Sequence, residues 1–180
     1  MNFKIDNMIT EEDFLKKVHQ ESQKWEYHQG KLVDLEKSSA NHQRIQENLA
    51  ELLQLCKDQD IPKLLFIPLT DVYAYPDLMV VSPEAIIYEE PNQAAAVLNP
   101  SVVVEIYSPK TKAIDSQDKW AFYQGIVSLE QYVMIDEQRP LLQMFTKHEQ
   151  GWKLEVFKNL EKTAMIGGQE ITLSKIYEGL

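Results

Sequence analysis

Residues 102 to 106 read Val102-Val103-Val104-Glu105-Ile106, a near-continuous apolar run holding a single charge. Such a run predicts a strand inside a sheet, covered on both faces. A carboxylate buried there without a partner loses much of its solvation, so Glu105 calls for a cation, a metal or a raised pKa. The plain alternative is a strand-end glutamate that reaches water.

Working outward, Leu78-Met79-Val80-Val81 is a second apolar run, also suited to a central strand, and Pro76-Asp77 precedes it. Proline is confined to the first position of a strand or to an edge, and Pro-Asp is equally a common turn pair. If both acids stand at neighbouring strand ends, they offer hard oxygen ligands to Mg²⁺ or Mn²⁺, whose octahedron a substrate phosphate and water would complete. Phosphodiester hydrolysis supplies that phosphate.

The rest of the chain supports an α/β (α+β) domain. Thr10 caps a short peripheral helix to Gln20 through Glu11, Glu12 and Asp13, with Phe14, Leu15 and Val18 as its apolar stripe. Trp25 to His28 and Leu32 to Leu35, around Gln29-Gly30, predict a hairpin. Ile45, Leu49, Leu52, Leu53 and Cys56 recur at helical spacing from Ser39 to about Lys57. Leu64 to Ile67 is a further strand, and Pro83 to Pro100 reads as a surface excursion. Lys112 to Tyr123 predicts a helix ending at Gly125. Gln131 to Ile135, Leu141 to Phe145 and Trp152 to Phe157 predict a closing meander. One domain over residues 1–180 is expected, with a peripheral N-terminal helix (1–24), a core (25–136) and a meander with C-terminal tail (137–180).

The 180 residues are 44% hydrophobic, enough for one core without disulfides. Cys56 is the lone cysteine, expected as a buried thiol in a reducing compartment. With no apolar leader and no membrane-length apolar segment, a cytoplasmic location is expected. The net charge of -10 argues against a broad nucleic-acid-binding surface, although a metal with local lysines can draw a phosphate to an acidic protein.

Pro76 to Val81, then Val103-Val104-Glu105-Ile106-Tyr107-Ser108-Pro109-Lys110-Thr111, then Asp115 to Lys119 and Tyr123, resemble in order and spacing the Uma-type family of restriction endonucleases, within the PD-(D/E)xK superfamily. Trp25 to Val33, Ser39 to Gln43 and Ile171 to Tyr177 extend the likeness over most of the chain from about Trp25. The resemblance implies a restriction-endonuclease-like core: a mixed central sheet flanked by helices, with an N-terminal hairpin and a C-terminal meander. It implies that Asp77 and Glu105 hold Mg²⁺ or Mn²⁺, with the carbonyl of Ile106 as third ligand, and that DNA is the substrate.

The superfamily's usual lysine position, two residues after the acid, is Tyr107 here. The family resembled moves that lysine to the following helix, which points to Lys119 as the group stabilising the transition state. A solvated ion pair with Asp115 is its ordinary alternative. Lys110 and Lys112, near a helix start, stand in reserve as substrate contacts. His42 is either a substrate contact or, the better-supported reading, a cap-region histidine. Glu26 lies on the strand face opposite Trp25 and Tyr27, toward solvent or toward the site. Glu47 reads as a surface helix former.

The expected activity is therefore a metal-dependent endonuclease cutting DNA, with homodimerisation as the simplest way to cut both strands. A nuclease-fold domain that no longer cuts and serves as a DNA- or protein-binding regulatory module is the rival. A plain acidic interaction protein accounts for the composition but not for the ordered pattern.

Overall fold

The computed structural model describes residues 8–35, 38–55, 61–81, 84–108 and 119–180. Its centre is a five-stranded mixed sheet in the order β11-β10-β9-β8-β5, formed by β5 (Leu78–Val81), β8 (Pro100–Tyr107), β9 (Gln131–Asp136), β10 (Leu142–His148) and β11 (Gly151–Phe157). β8 and β9 run parallel, Val104 beside Val133, so the chain must cross over between them. Helix α3, described over residues 119–123, lies on that crossover.

Period-two alternation along β8 explains the layers. Val102, Val104 and Ile106 face one core, which they share with Ile45 and Leu49 of α2 (Ala40–Leu52) and with Leu173 and Ile176 of α4 (Leu173–Ile176). Val103 and Tyr107 face the other, beside Tyr123 and Leu129. Glu105 shares the second face and is 8% exposed.

A second sheet, in the order β2-β1-β4-β3-β7-β6, joins the hairpin β1 (Trp25–His28) and β2 (Lys31–Asp34) to β3 (Leu64–Ile67), β4 (Val72–Ala74), β6 (Ile87–Tyr88) and β7 (Ala96–Val97). α1 (Glu11–Gln20) packs Phe14 and Leu15 against it, with Tyr27 and Tyr73. Thr10 caps α1 as the sequence predicts, its Oγ1 accepting from the Asp13 amide at 3.2 Å. The hairpin β12 (Thr163–Ile166) and β13 (Gln169–Thr172) closes the tail.

Three expectations need correcting. Leu78–Val81 is not a central strand: it lies at the sheet edge with every residue half-buried, because among the described residues β8 alone pairs with it and its other side carries no strand. The stretch from Pro83 to Pro100 is not merely a surface excursion, for Ala96 and Val97 are fully buried and β7 pairs in parallel with β3. α2 stops at Leu52, short of Lys57, with Leu53 as its cap. Cys56 lies outside the described residues, as do Lys110, Lys112 and Asp115. The meander is present, and it continues the sheet of β8. No helix among the described residues is long and apolar enough to cross a membrane.

Candidate active site

β5 and β8 pair antiparallel, Leu78 opposite Val104. One step further along that register, Asp77 faces Glu105. Proline at 76 has no amide hydrogen, so the ladder cannot continue past Asp77 in the ordinary way. The Asp77 side chain takes over, Oδ2 accepting from the Ile106 amide at 2.6 Å. A residue's N–H and C=O project to the same strand edge, so the Ile106 carbonyl also points toward the Asp77 side.

Asp77 has two further supports from α2. His42 Nε2 lies 2.8 Å from Asp77 Oδ1, and Gln46 Nε2 donates to the Asp77 carbonyl at 2.6 Å. These residues are one helical turn apart and so share a face. His42 Nδ1 stands 4.0 Å from Glu137 Oε2, which also accepts from Ser39 Oγ at 2.8 Å. Burial lowers the His42 pKa, but the bond and charge of Asp77, with Glu137 and Glu105 behind it, leave the pKa raised overall. His42 is therefore a cap-region residue, its own amide bonded to Ser39 Oγ, whose ring reaches the site.

Glu105 lies under α3. Its Oε1 accepts from Tyr123 Oη at 2.6 Å and from Lys119 Nζ at 3.2 Å. Both donors meet Oε1, and Oε2 accepts no hydrogen bond from the described residues. Burial pushes the Glu105 carboxyl up to about 7. Lys119 opposes the shift, Asp77 and Glu26 add to it, and Tyr123 opposes it.

Lys119 is 8% exposed, unlike a solvated helical ion pair. Its Nζ donates to Glu26 Oε1 as well, at 3.2 Å. Glu26 is 1% exposed and held at both oxygens: the Tyr75 amide donates to Oε1 at 3.0 Å, and His28 Nε2 lies 3.1 Å from Oε2. Burial would raise its pKa, but His28, the Lys119 charge and the Tyr75 amide together bring it down to about 2. So enclosed, Glu26 faces Lys119, and contact with a substrate would require breaking these bonds.

The fold thus brings together Glu26, His42, Asp77, Glu105 and Lys119. Sequence reasoning did not single out Tyr123, His28 or Glu137 as site residues. Tyr123 sits four residues after Lys119, and His28 two after Glu26 on the same strand face, so spacing could have found both. Glu137 carries no local signal; it reaches His42 only because β8 and β9 run side by side.

Beside the site, a cavity of about 430 Å³ follows the outer edge of β5, bounded by Asp77, Leu78 and Val80, Gln46 of α2, and the exposed Lys24 and Lys63.

Several known proteins are similar. "Uncharacterized protein sll1609" of Synechocystis sp. is 32% identical over 136 residues, 72% of this chain and 76% of that protein. "Uncharacterized protein slr1290" of the same organism is 22% identical over 180 residues, 96% of this chain and 93% of its own length. Among solved structures, that of a "putative nuclease belonging to DUF820" from Anabaena variabilis superposes with a TM-score of 0.65 at 17% identity, covering 94% of this chain and 97% of that one. This likeness establishes the shared fold. The model of the Uma2 family, described as "Putative restriction endonuclease", matches residues 11–174, and the chain belongs to that family.

Proposed function

We propose that this protein is a metal-dependent endonuclease that hydrolyses phosphodiester bonds in DNA, with Asp77 and Glu105 as metal ligands and Lys119 as the catalytic cation. The observation that carries the reading is the pair Asp77 and Glu105 on facing strand positions with Lys119 Nζ 3.2 Å from Glu105.

The donor set suits Mg²⁺ or Mn²⁺. Asp77, Glu105 and the Ile106 carbonyl are hard oxygens, and Glu105 Oε2 has no donor among the described residues. No group of three or more His, Cys, Asp and Glu side chains among the described residues forms a ready-made cage. That suits Mg²⁺, which keeps several waters and shares its shell with substrate phosphate. Among the described residues three carboxylates gather here, Glu26 and Glu105 on Lys119 and Asp77 on His42, negative charge that a divalent cation would offset. The bound ion would supply Lewis-acid polarisation of the phosphate and a more acidic water.

The protein's own groups then have distinct tasks. Lys119, held between Glu26 and Glu105, offers an ammonium to the charge that builds on the phosphate oxygens. Tyr123 fixes the rotamer of Glu105 through its 2.6 Å bond. His42 and the Ile106 amide fix Asp77, as partners of metal-binding carboxylates commonly do. Lys24 and Lys63 along the β5 cavity give an otherwise acidic protein local cations for the flanking phosphates. Cutting both strands of a duplex calls for two copies, and a homodimer is part of the proposal. A cytoplasmic location suits an enzyme acting on DNA.

The net charge of -10 favours the rival, a non-cutting binding module. One experiment separates them: calorimetric titration of Mg²⁺ or Mn²⁺ together with cleavage of supercoiled plasmid by wild type, Asp77→Ala, Glu105→Ala and Lys119→Ala. The nuclease reading expects metal binding lost in both carboxylate variants and cutting lost in all three. Absent metal binding, with equal background nicking in every variant, would refute it.

A further inference from the structure

The five-stranded sheet ends at β11, and no strand among the described residues pairs with its outer edge. The Lys147 amide donates to the Glu130 carbonyl at 2.8 Å on the β9 side, so odd-numbered residues of β10 bond toward β9 and even-numbered ones toward β11. Through the pairs Met144↔Glu155 and Thr146↔Lys153, this assigns Lys153 and Glu155 to bonds with β10. The N–H and C=O groups of Trp152, Leu154 and Val156 then point outward, and no backbone bond between described residues satisfies them.

Protein edges are usually blunted by bulges, proline or inward charge. β11 is seven residues long, has no proline, and keeps one register along its length. Leu154 and Val156 are each 46% exposed. They extend an aromatic patch on the same face, in which Trp120 stacks on Phe145 at 4.2 Å and meets Trp152 edge-on at 5.0 Å.

We propose that β11 pairs antiparallel with β11 of a second copy of this chain, about a two-fold axis at Leu154, so that one sheet runs through the dimer. The hydrogen-bonding pattern and the charges select that centre. A shift of the pairing by one residue opposes outward-pointing groups to inward-pointing ones, which cannot bond. Centring on Lys153 opposes two lysines, and centring on Glu155 opposes two glutamates. At Leu154 the outward groups of Trp152, Leu154 and Val156 all find partners, Trp152 faces the partner's Val156, and Lys153 faces the partner's Glu155. Within one chain Lys153 Nζ already lies 3.1 Å from Glu155 Oε1 on that face, so the dimer carries four alternating charges across the axis. Like charges directly opposite destabilise a strand pair, and unlike charges stabilise it. This interface does not depend on the nuclease reading. It lies behind the helix that carries Lys119, whose neighbour Trp120 packs against Phe145 and Trp152.

The test is sedimentation equilibrium of the full chain as wild type, Lys153→Glu, Glu155→Lys and the double exchange K153E/E155K, with melting curves to confirm folding. Wild type is expected to sediment as a dimer. Each single variant should raise the dissociation constant by about tenfold or more, and the double exchange should restore it to within a few-fold of wild type. A monomeric wild type, single variants that associate like wild type, or a folded double exchange that stays monomeric would each overturn the proposal.

Discussion

Tyr123 donates its hydroxyl to Glu105 Oε1 at 2.6 Å, between two buried residues. Tyr123→Phe keeps the ring and removes the donor, leaving a buried carboxylate with one fewer partner. The expected cost is about 1–3 kcal/mol of stability, read as a lower urea midpoint with the slope unchanged. If the phenylalanine variant unfolds at the wild-type midpoint, the bond contributes nothing net.

His42 steadies Asp77 without belonging to the metal's own shell in this reading. His42→Ala should weaken Mn²⁺ binding by about 10- to 100-fold, the usual effect of losing a residue that orients a ligand. His42→Gln should recover part of it. The α2 cap persists in both, because Ser39 bonds to the backbone amide at position 42. Calorimetry on the three proteins decides the matter, and equal affinities would remove His42 from the site.

Glu26 and Lys119 form a buried pair at 3.2 Å, with their side chains 1% and 10% exposed. Removing one partner of such a pair commonly costs about 3–5 kcal/mol, because it strands the other charge. Here Glu105 still pairs with Lys119, so Glu26→Ala should fall at the low end of that range, and Glu26→Gln should lose less. Denaturant unfolding of both variants tests this; a loss below the error of the method would mean that Glu105 alone satisfies Lys119.

Stability without metal should depend on pH in two opposed windows. Glu26 falls from an ordinary 4.5 to about 2 in the folded chain, so its stabilisation is present above 4.5 and fades as the pH drops toward 2. Glu105 rises from 4.5 to about 7, so the unfolded chain releases this proton first and stability declines between those values. The raised His42 adds to that decline, its stabilisation being lost as the pH climbs through its folded pKa. Melting should therefore be higher at pH 5 than at pH 7.5, and saturating Mg²⁺ or Mn²⁺ should narrow the gap by favouring ionised Glu105. The same scan on Glu105→Gln should show a flatter alkaline side; an unchanged slope would assign the decline to other groups.

Much of this arrangement was legible in the chain. Glu105 among valines announced an expensive charge, and β8 buries it on both sides. Lys119 on the crossover helix was identified from the resemblance, and the fold brings it within 3.2 Å of Glu105. What escaped was long-range. A run such as Leu78–Val81 reads the same whether its outer edge is covered or bare, because hydropathy reports faces and says nothing about edges. The bond from Lys119 to Glu26, 93 residues apart, forms only when the crossover helix meets the second sheet, and that from Ser39 to Glu137, 98 apart, only when the start of α2 packs on the end of β9; no local spacing encodes either.

The connection between β6 and β7 turns at Asn92, an exposed residue with φ of 62°, which falls between Asp77 and Glu105 in sequence. Everything before that turn contributes Glu26, His42 and Asp77; everything after it contributes Glu105, Lys119 and Tyr123. Neither half is a weaker version of the whole, since each holds one carboxylate of the facing pair and only the second holds the ammonium. Severed at Asn92, the protein would become a two-component reagent in which, on the proposed nuclease function, neither piece cuts alone and cutting requires that both pieces meet.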